Sequence, residues 1–268
     1  MKTEMEMRAV RIGVFQFSAS ENICSNIMAI SAAIARAAEQ QVRLLVFREC
    51  ALCGYPPVEI ESVASIDQVA VDDYYGRVSD LAKEHAMYVA LGNIRNEGDA
   101  RYNSIQLLGP EGTLVGNYDK RALWGWDIDN YRQGSQPGIF TIDGIKVGFR
   151  ICFEMRFPEY FRELFAQDVQ LCFVSFNDVS DEEDASRFDI IKAHLVTRAV
   201  ENVMTVVSVN STSKRQTAPT AIFSTGGHVL QAAPHNQEHL LVYDFEAPKL
   251  QYGAQGRIHY SRELLGLS

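Results

Sequence analysis

Three residues with catalytic side chains, Glu49, Lys120 and Cys152, each come just after a predicted strand. Cys152 ends the strand predicted over residues 145–151 and precedes a predicted helix. A cysteine on such a turn is held exposed, and the helix N-terminus favours its thiolate and offers backbone N–H groups to an oxyanion. Glu49 ends a buried apolar strand, where desolvation raises the pKa of a carboxyl and suits it to general-base catalysis. These settings indicate nucleophilic chemistry at Cys152.

Each of the three residues also has an ordinary structural interpretation. A cysteine in an apolar stretch is often a small core residue. A glutamate that follows Arg48 can pair with that arginine or cap a helix, and a lysine after a strand is normally solvated. Spacing alone leaves both interpretations open.

Other motifs in the chain give little support to functions other than nucleophilic catalysis by cysteine. Cys50 and Cys53 form a Cys-x-x-Cys pair, but Pro56 and Pro57 follow at once, whereas redox pairs of this type begin a helix. The six histidines are scattered, so no metal site is predicted. The sequence contains no Gly-x-Ser-x-Gly, P-loop or Gly-x-Gly-x-x-Gly motif, which disfavours a serine hydrolase, an NTPase and a Rossmann enzyme.

Predicted strands and helices alternate along the chain and must position these residues. Strands are predicted over residues 10–17, 43–47, 87–94, 102–108, 113–118, 139–142, 145–151, 169–175, 203–209, 220–223, 228–231 and 239–244. Helices are predicted after residue 22, over 71–86, after Pro158 and over 184–202. Alternation with embedded hairpins predicts an α/β fold in which helices cover mixed sheets. Because no linker or repeat interrupts it, we expect residues 1–268 to form one domain.

Composition narrows the classes of partner. The 268 residues carry a formal net charge of −9, which disfavours binding to nucleic acid or to an anionic membrane. No apolar run is long enough to span a bilayer, and the first eight residues lack a signal-peptide core. Five scattered cysteines fit reduced thiols, so a cytoplasmic location is expected.

The segments around the three residues resemble the nitrilase, or carbon–nitrogen hydrolase, superfamily, in which a Glu, a Lys and a Cys form the catalytic triad. Four segments carry the resemblance: residues 47–57 around Glu49, 118–124 around Lys120, 148–159 around Cys152, and the helix end 198–202. It extends from about residue 8 to about residue 245. Two positions depart from the family pattern. Arg48 replaces a proline, and Asp127 stands where many members carry a second glutamate.

The resemblance implies a mechanism without a metal or an organic cofactor. Glu49 would take the proton of Cys152, whose sulfur attacks the substrate carbon. Lys120 and the backbone N–H of Phe153 would stabilise the oxyanion, with Asp127 in support. Glu49 would then protonate the leaving nitrogen and activate a water molecule that hydrolyses the thioester.

The resemblance also implies a substrate class. The segment after Cys152 looks more like that of amidases than that of nitrilases, which often carry Trp after the cysteine. A small amide is therefore expected, with a nitrile or an N-carbamoyl compound as alternatives. Tyr55, Trp126 and Arg156 are the predicted substrate-binding residues. Arg48 and Asp127 depart from the family pattern. They leave open an alternative that is not an enzyme function: a binding or scaffold protein of the same fold with weak catalytic activity.

For the architecture, the resemblance implies a four-layer α-β-β-α sandwich with two mixed, six-stranded-type sheets. It also implies a homodimer or a larger homo-oligomer. The expected contact surfaces are the helix after Pro158 and the helix over 184–202, with the C-terminal tail from about residue 246 to 268 crossing to the partner.

Overall fold

The computed structural model describes residues 9–247 and 249–267 of the chain. The strands in these residues are β1 (Ala9–Gln16), β2 (Leu44–Phe47), β3 (Tyr88–Glu97), β4 (Ala100–Leu108), β5 (Leu114–Asp119), β6 (Ile139–Ile142), β7 (Ile145–Ile151), β8 (Leu171–Ser175), β9 (Val179–Ser180), β10 (Thr205–Val209), β11 (Arg215–Gln216), β12 (Ala221–Phe223), β13 (Val229–Ala232) and β14 (His239–Glu246). The helices are α1 (Ile23–Glu39), α2 (Gln68–Glu84), α3 (Asp127–Asn130), α4 (Pro158–Ala166), α5 (Ala185–Asn202) and α6 (Tyr252–Leu264), with 3₁₀ turns at Val63–Ser65 and Cys152–Arg156.

Most of the strands form two mixed sheets of six strands each. The first sheet has the order β14-β1-β2-β3-β4-β5, and the second has the order β13-β12-β10-β8-β7-β6. In the first sheet, β1, β2 and β3 are parallel neighbours, while β14 pairs with β1, and β4 with β3, in antiparallel fashion. In the second sheet, β7, β8 and β10 are the parallel neighbours. Short β9 and β11 pair separately.

Three apolar cores hold these layers together. Side chains from both sheets, among them Val46, Phe149 and Phe173, form the core between the sheets. Helices α1 and α2 cover the outer face of the first sheet, and α4 and α5 cover that of the second. Central strands β2, β8 and β10 are buried at every residue because they are covered on both faces. The layer order is therefore α-β-β-α, as the resemblance to the nitrilase superfamily implied.

Local signals explain where the helices begin. The side chain of Asn22 caps α1 by accepting a hydrogen bond from the Ser25 backbone N–H. Asp67 caps α2 in the same way through the N–H groups of Val69 and Ala70, so α2 begins at Gln68 rather than at the predicted residue 71. The helix predicted after residue 157 is α4, with Pro158 in its first turn.

The C-terminal helix α6 is not among the predicted helices. Only Ala254 of this helix is buried, so its sequence lacks the apolar stripe that marks a helix packed on a core. Two arginines attach it instead: Arg257 donates to the carbonyl of Val200, and Arg262 pairs with Asp168. In the described part of the chain, no helix has the length and apolar character that crossing a membrane would need.

Candidate active site

The ends of four strands come together where the two sheets face each other. In the first sheet, Glu49 follows β2 and Lys120 follows β5. In the second sheet, Cys152 follows β7 and Asn177 follows β8. The three residues predicted to be catalytic therefore come from both sheets.

Two hydrogen bonds join the sheets at this point. The hydroxyl of Ser175 donates to the carbonyl of Phe47 over 3.0 Å. The backbone N–H of Asn177 donates to Glu49 Oε2 over 2.9 Å. The second bond ties the carboxylate of Glu49 to the sheet that carries Cys152.

A buried ion-paired network surrounds Lys120. Its Nζ donates to Glu49 Oε1 over 2.8 Å and to Asp127 Oδ2 over 2.7 Å. Asn103 Nδ2 also donates to Glu49 Oε1, and the hydroxyl of Tyr55 donates to Asp127 Oδ1 over 2.8 Å. Asp127 thus reaches Lys120 although its side chain is one methylene shorter than glutamate.

Burial and charge together set the protonation of this network. Burial raises the pKa of Glu49, and the charge of Asp127 adds to this effect, while Lys120 opposes it. Burial lowers the pKa of Lys120, but attraction from the carboxylates of Glu49 and Asp127 outweighs burial, so the pKa lies well above its ordinary value. Burial and the charge of Glu49 raise the pKa of Cys152 well above that of a free thiol. At neutral pH the ammonium of Lys120 therefore lies beside a neutral thiol.

Cys152 occupies a strained turn. Its backbone φ is +47°, in the left-handed region that residues other than glycine rarely adopt. The five-residue 3₁₀ turn Cys152–Arg156 separates the cysteine from the helix predicted after Pro158, which is α4. The side chain of Cys152 is half-buried and contacts two of the apolar cores.

Glu154, which the sequence analysis missed, fixes this turn. Its carboxylate accepts hydrogen bonds from the Ile151 N–H and the Tyr118 hydroxyl, each over 2.7 Å, and from the Arg121 N–H over 2.6 Å. With a fourth hydrogen bond, from the Ala122 N–H over 3.3 Å, this buried carboxylate connects the nucleophile turn to the segment after Lys120. The signal in the sequence was the acidic residue two positions after the cysteine.

A cavity of about 230 Å³ opens over the cysteine. Its lining residues are Tyr55, Val58, Lys120, Trp124, Cys152, Phe153, Met155, Arg156, Asn177, Asp178, Val179 and Arg187. Of the predicted substrate-binding residues, Tyr55 and Arg156 line it, and Phe153 does too. Asn177, Asp178 and Arg187 were missed because single polar residues after a strand or in a helix form no motif.

Trp126, the third predicted substrate-binding residue, is not among the residues that line the cavity. A turn closed by the hydrogen bond from the Asp127 N–H to the Trp124 carbonyl points these side chains in different directions. Asp127 turns inward to Lys120, Trp124 lines the cavity, and Trp126 packs edge-on against Tyr131 at 5.7 Å.

Arg48, the first departure from the family pattern, lies outside the cavity. Its guanidinium is fully buried and pairs with both carboxylate oxygens of Glu59 at 2.8 and 2.9 Å. It also donates to the backbone carbonyls of Phe17 and Glu49. The interpretation that Arg48 pairs with the Glu49 side chain is therefore wrong, because that carboxylate pairs with Lys120. Arg48 instead supports the backbone that carries Glu49.

Two further features of the sequence are the Cys-x-x-Cys pair and the scattered residues that could bind a metal. Cys50 and Cys53 are free thiols buried in the core, and burial raises the pKa of Cys53 to about 12. Across residues 9–247 and 249–267, no group of three or more His, Cys, Asp or Glu side chains could hold a metal ion.

Comparison with known proteins places this geometry in a family. A family model of carbon-nitrogen hydrolases matches residues 11–252. A 2-oxoglutaramate amidase from Bacillus subtilis (strain 168) is 31% identical over 176 residues, which are 63% of each chain. This match therefore spans just under two thirds of the Bacillus protein. A deaminated glutathione amidase from Dictyostelium discoideum is 25% identical over 260 residues, 88% of this chain and 87% of its own length.

Solved structures share the architecture. An amidase from Nesterenkonia sp. superimposes with a TM-score of 0.81 at 24% identity, over 96% of this chain and 95% of that one. A mutant of the amidase from Nesterenkonia sp. AN1, with the acetamide moiety of fluoroacetamide added covalently at its active-site cysteine, gives a TM-score of 0.82 at 24% identity, with the same coverage. The structural likeness establishes the shared fold, and the family model covers nearly the whole length, so this chain belongs to the carbon-nitrogen hydrolase family.

Proposed function

We propose that this chain hydrolyses the carbon–nitrogen bond of a small amide, with Cys152 as the nucleophile, Glu49 as the general base and acid, and Lys120 as the cation that stabilises the oxyanion. The observation that carries the proposal is the buried ion-paired set of Glu49, Lys120 and Asp127 beside the cavity that Cys152 lines. Two carboxylates around one ammonium are costly to bury, so the arrangement is better explained by chemistry than by stability.

The first step is the attack of sulfur on the amide carbon. Glu49 takes the thiol proton, because the raised pKa of Cys152 keeps it protonated at rest. The raised pKa of Glu49 makes it a better proton acceptor than an ordinary carboxylate. Lys120 and the backbone N–H of Phe153, the residue after the nucleophile, stabilise the negative charge that forms on the substrate oxygen.

The second half of the reaction returns the enzyme to its starting state. Glu49 gives its proton to the leaving nitrogen, the C–N bond breaks, and ammonia or an amine departs from a thioester on Cys152. Glu49 then takes a proton from water, and the water oxygen attacks the thioester carbon. The acid product leaves, and the sulfur of Cys152 recovers a proton. These steps need no metal or organic cofactor.

An amide is the leading substrate class, with a nitrile or an N-carbamoyl compound as alternatives. The amide is supported by the Bacillus and Dictyostelium relatives, which are both named as amidases. The cavity volume of about 230 Å³ suits a small molecule.

Ammonia release from a substrate panel tests the proposal. The panel contains short aliphatic amides, ω-amides, N-carbamoyl amino acids and nitriles, with Cys152→Ala beside the wild type. Release from one class that vanishes in the variant supports the mechanism and identifies the class. If the folded protein released ammonia from none of these compounds, the result would favour the binding or scaffold alternative.

The weakly catalytic alternative depends on Arg48 and Asp127, and their contacts argue against it. Asp127 keeps its ion pair with Lys120, and Arg48 has its own partner in Glu59. A thiol reagent separates the two functions: in an enzyme, alkylation of Cys152 should outpace that of Cys24 and Cys172 and should follow the titration of Glu49. Equal, slow alkylation of all three thiols would favour the scaffold.

We expect Asp127→Asn to move the acidic limb of the kcat/KM profile to lower pH. Glu49 acts as a base only when it is deprotonated, so activity rises with pH through its raised pKa. Removing the nearby negative charge favours the ionised carboxylate and lowers that pKa. The maximal kcat/KM should fall about 10-fold, because Lys120 loses one charged hydrogen bond.

The measurement is kcat/KM against pH for the wild type, Asp127→Asn and Asp129→Asn. Asp129 is an exposed carboxylate on the same short helix α3, and its replacement should leave the limb in place. If the acidic limb of Asp127→Asn stayed at the same pH or moved to higher pH, the charge of Asp127 would not be raising the pKa of Glu49.

We also propose a homodimer or larger homo-oligomer and a cytoplasmic location. The location is supported by five free thiols. Association is supported by the outer surface of α6, where Tyr252, Tyr260 and Leu264 are exposed by 91%, 65% and 88%. Large apolar side chains that are exposed together on one surface, rather than singly, mark a protein contact.

Truncation before Gln251 should shift the assembly toward monomer. The cut removes α6 and the exposed apolar side chains that a partner would cover, although it also removes the contacts of Arg257 and Arg262. Sedimentation velocity on the truncated chain and on Tyr252→Ser/Leu264→Ser, which keeps both arginine contacts, separates these effects. Unchanged size and stability in both variants would mean that the tail takes no part in assembly.

A further inference from the structure

One buried amide in the cavity has no partner. Asn177 lines the cavity and is only 7% exposed, yet its side-chain Oδ1 and Nδ2 are buried and make no hydrogen bond to any described residue. A buried polar group without a partner is costly, and native proteins rarely keep one without a reason. Its backbone N–H is occupied separately, by Glu49 Oε2.

The other acceptors around the cysteine are already engaged. Glu49 accepts from Lys120, Asn103 and the Asn177 backbone, and Asp127 accepts from Lys120 and Tyr55. These bonds leave neither carboxylate free to take a further donor without weakening its hold on Lys120.

Asp178, the cavity carboxylate next in sequence to Asn177, is bound as well. Both of its oxygens pair with Arg187, at 2.9 and 3.0 Å, and the Thr217 hydroxyl donates to one of them. Among the side chains described at the cavity, the Asn177 amide thus offers an entering substrate an uncharged hydrogen-bond acceptor that has no other partner.

The position of Asn177 fits the leaving group. Its backbone holds Glu49, the residue proposed to deliver a proton to the leaving nitrogen, so its side chain begins on the same side of the cavity. A primary amide carries two N–H donors on that nitrogen, and both need an acceptor once the cavity excludes water. A nitrile nitrogen and an ester oxygen carry no hydrogen.

From this arrangement we infer that Asn177 is a specificity-determining residue, whose Oδ1 accepts a hydrogen bond from the N–H of the scissile amide and so favours amides over esters and nitriles of the same acid. This inference rests on the proposed function and deepens it. A site built to pair with a substrate N–H discriminates against an analogue that lacks it, because the protein group is then left unpaired.

The kinetic test compares the primary amide and the methyl ester of one acid. Asn177→Leu is nearly isosteric, Asn177→Ala is smaller, and neither can form the hydrogen bond. In either folded variant, kcat/KM for the amide should fall about 10-fold relative to that for the ester, the effect of one hydrogen bond. Val179→Ala, an apolar change in the same cavity, should leave the ratio unchanged. A ratio that stays constant in the Asn177 variants would overturn the inference.

A second probe works without turnover and separates this inference from the proposed function. Iodoacetamide and iodoacetonitrile deliver the same carbon to the sulfur and both release iodide, but only the first carries amide N–H groups. The wild type should show saturable alkylation of Cys152 with a lower half-saturating concentration for iodoacetamide, and Asn177→Leu should lose that preference. If the wild type hydrolyses nothing but keeps the preference, the proposed function fails, and what survives is recognition of an amide N–H by Asn177. If the wild type shows no preference, the inference is wrong whatever the turnover.

Discussion

Cys152→Ala should reduce amide hydrolysis by about 10⁴-fold or more, because the reaction loses the atom that forms the thioester. The sulfur lies on a left-handed turn whose backbone Glu154 holds through the Ile151 N–H. Replacing the thiol by hydrogen, which leaves the methyl side chain of alanine, keeps these contacts in place, so the variant should fold. The measurement is ammonia release at saturating amide, with circular dichroism to verify folding.

Cys24→Ala is the matched control for this variant. Cys24 is exposed on α1, away from the cavity, and its removal should leave the rate unchanged. Substantial activity in Cys152→Ala would mean that another group attacks the substrate, and the proposed mechanism would be wrong.

Glu49→Gln should lower kcat/KM by about 10²- to 10⁴-fold, the usual contribution of a general acid–base residue. Glutamine keeps the size of the side chain but can neither take the thiol proton nor protonate the leaving nitrogen. Alkylation of Cys152 should also slow and should lose its acidic limb, because the raised pKa of Glu49 governs formation of the thiolate.

A nearby exposed carboxylate gives the control for this second variant. Glu61→Gln removes a charge from the same loop and should leave both the rate and the acidic limb as they are in the wild type. If Glu49→Gln retained the acidic limb, a different group would have to be the base.

Much of the fold follows from apolar patterning. The predicted hairpin over 139–142 and 145–151 has the same bounds as β6 and β7, because Asp143 and Gly144 supply the left-handed turn that joins them. The buried runs of β2 and β8 were equally visible because central strands carry apolar residues on both faces. Helix α6 was missed because arginine contacts, rather than an apolar stripe, hold it against α5 and the loop before β8.

The candidate site was predictable to the extent that it lies on motifs. Glu49, Lys120 and Cys152 were found from strand ends and from three ordered segments. Whether Asp127 could reach Lys120 required coordinates, and the answer is an ion pair of 2.7 Å. Asn177 could not be found from the sequence, because its significance lies in a missing hydrogen-bond partner.

The two indoles of one segment differ in their placement. Trp124 lines the cavity, whereas Trp126, the residue predicted to bind substrate, packs against Tyr131. A single turn decides which side chain faces the cavity, and it depends on the backbone bond from Asp127 to Trp124. Periodicity carries no information about side-chain direction within such an irregular segment.

Mass spectrometry of the acid-quenched reaction tests directly whether a thioester forms on Cys152. An amide identified in the ammonia panel would be mixed with the wild type and quenched in the pre-steady state, and peptides containing Cys152 would be mapped. If Cys152 is the nucleophile, its peptide carries an acyl group of the substrate's mass, which hydroxylamine removes and which is absent from Cys152→Ala. Turnover without any acyl adduct at Cys152, or with the adduct on another residue, would contradict it.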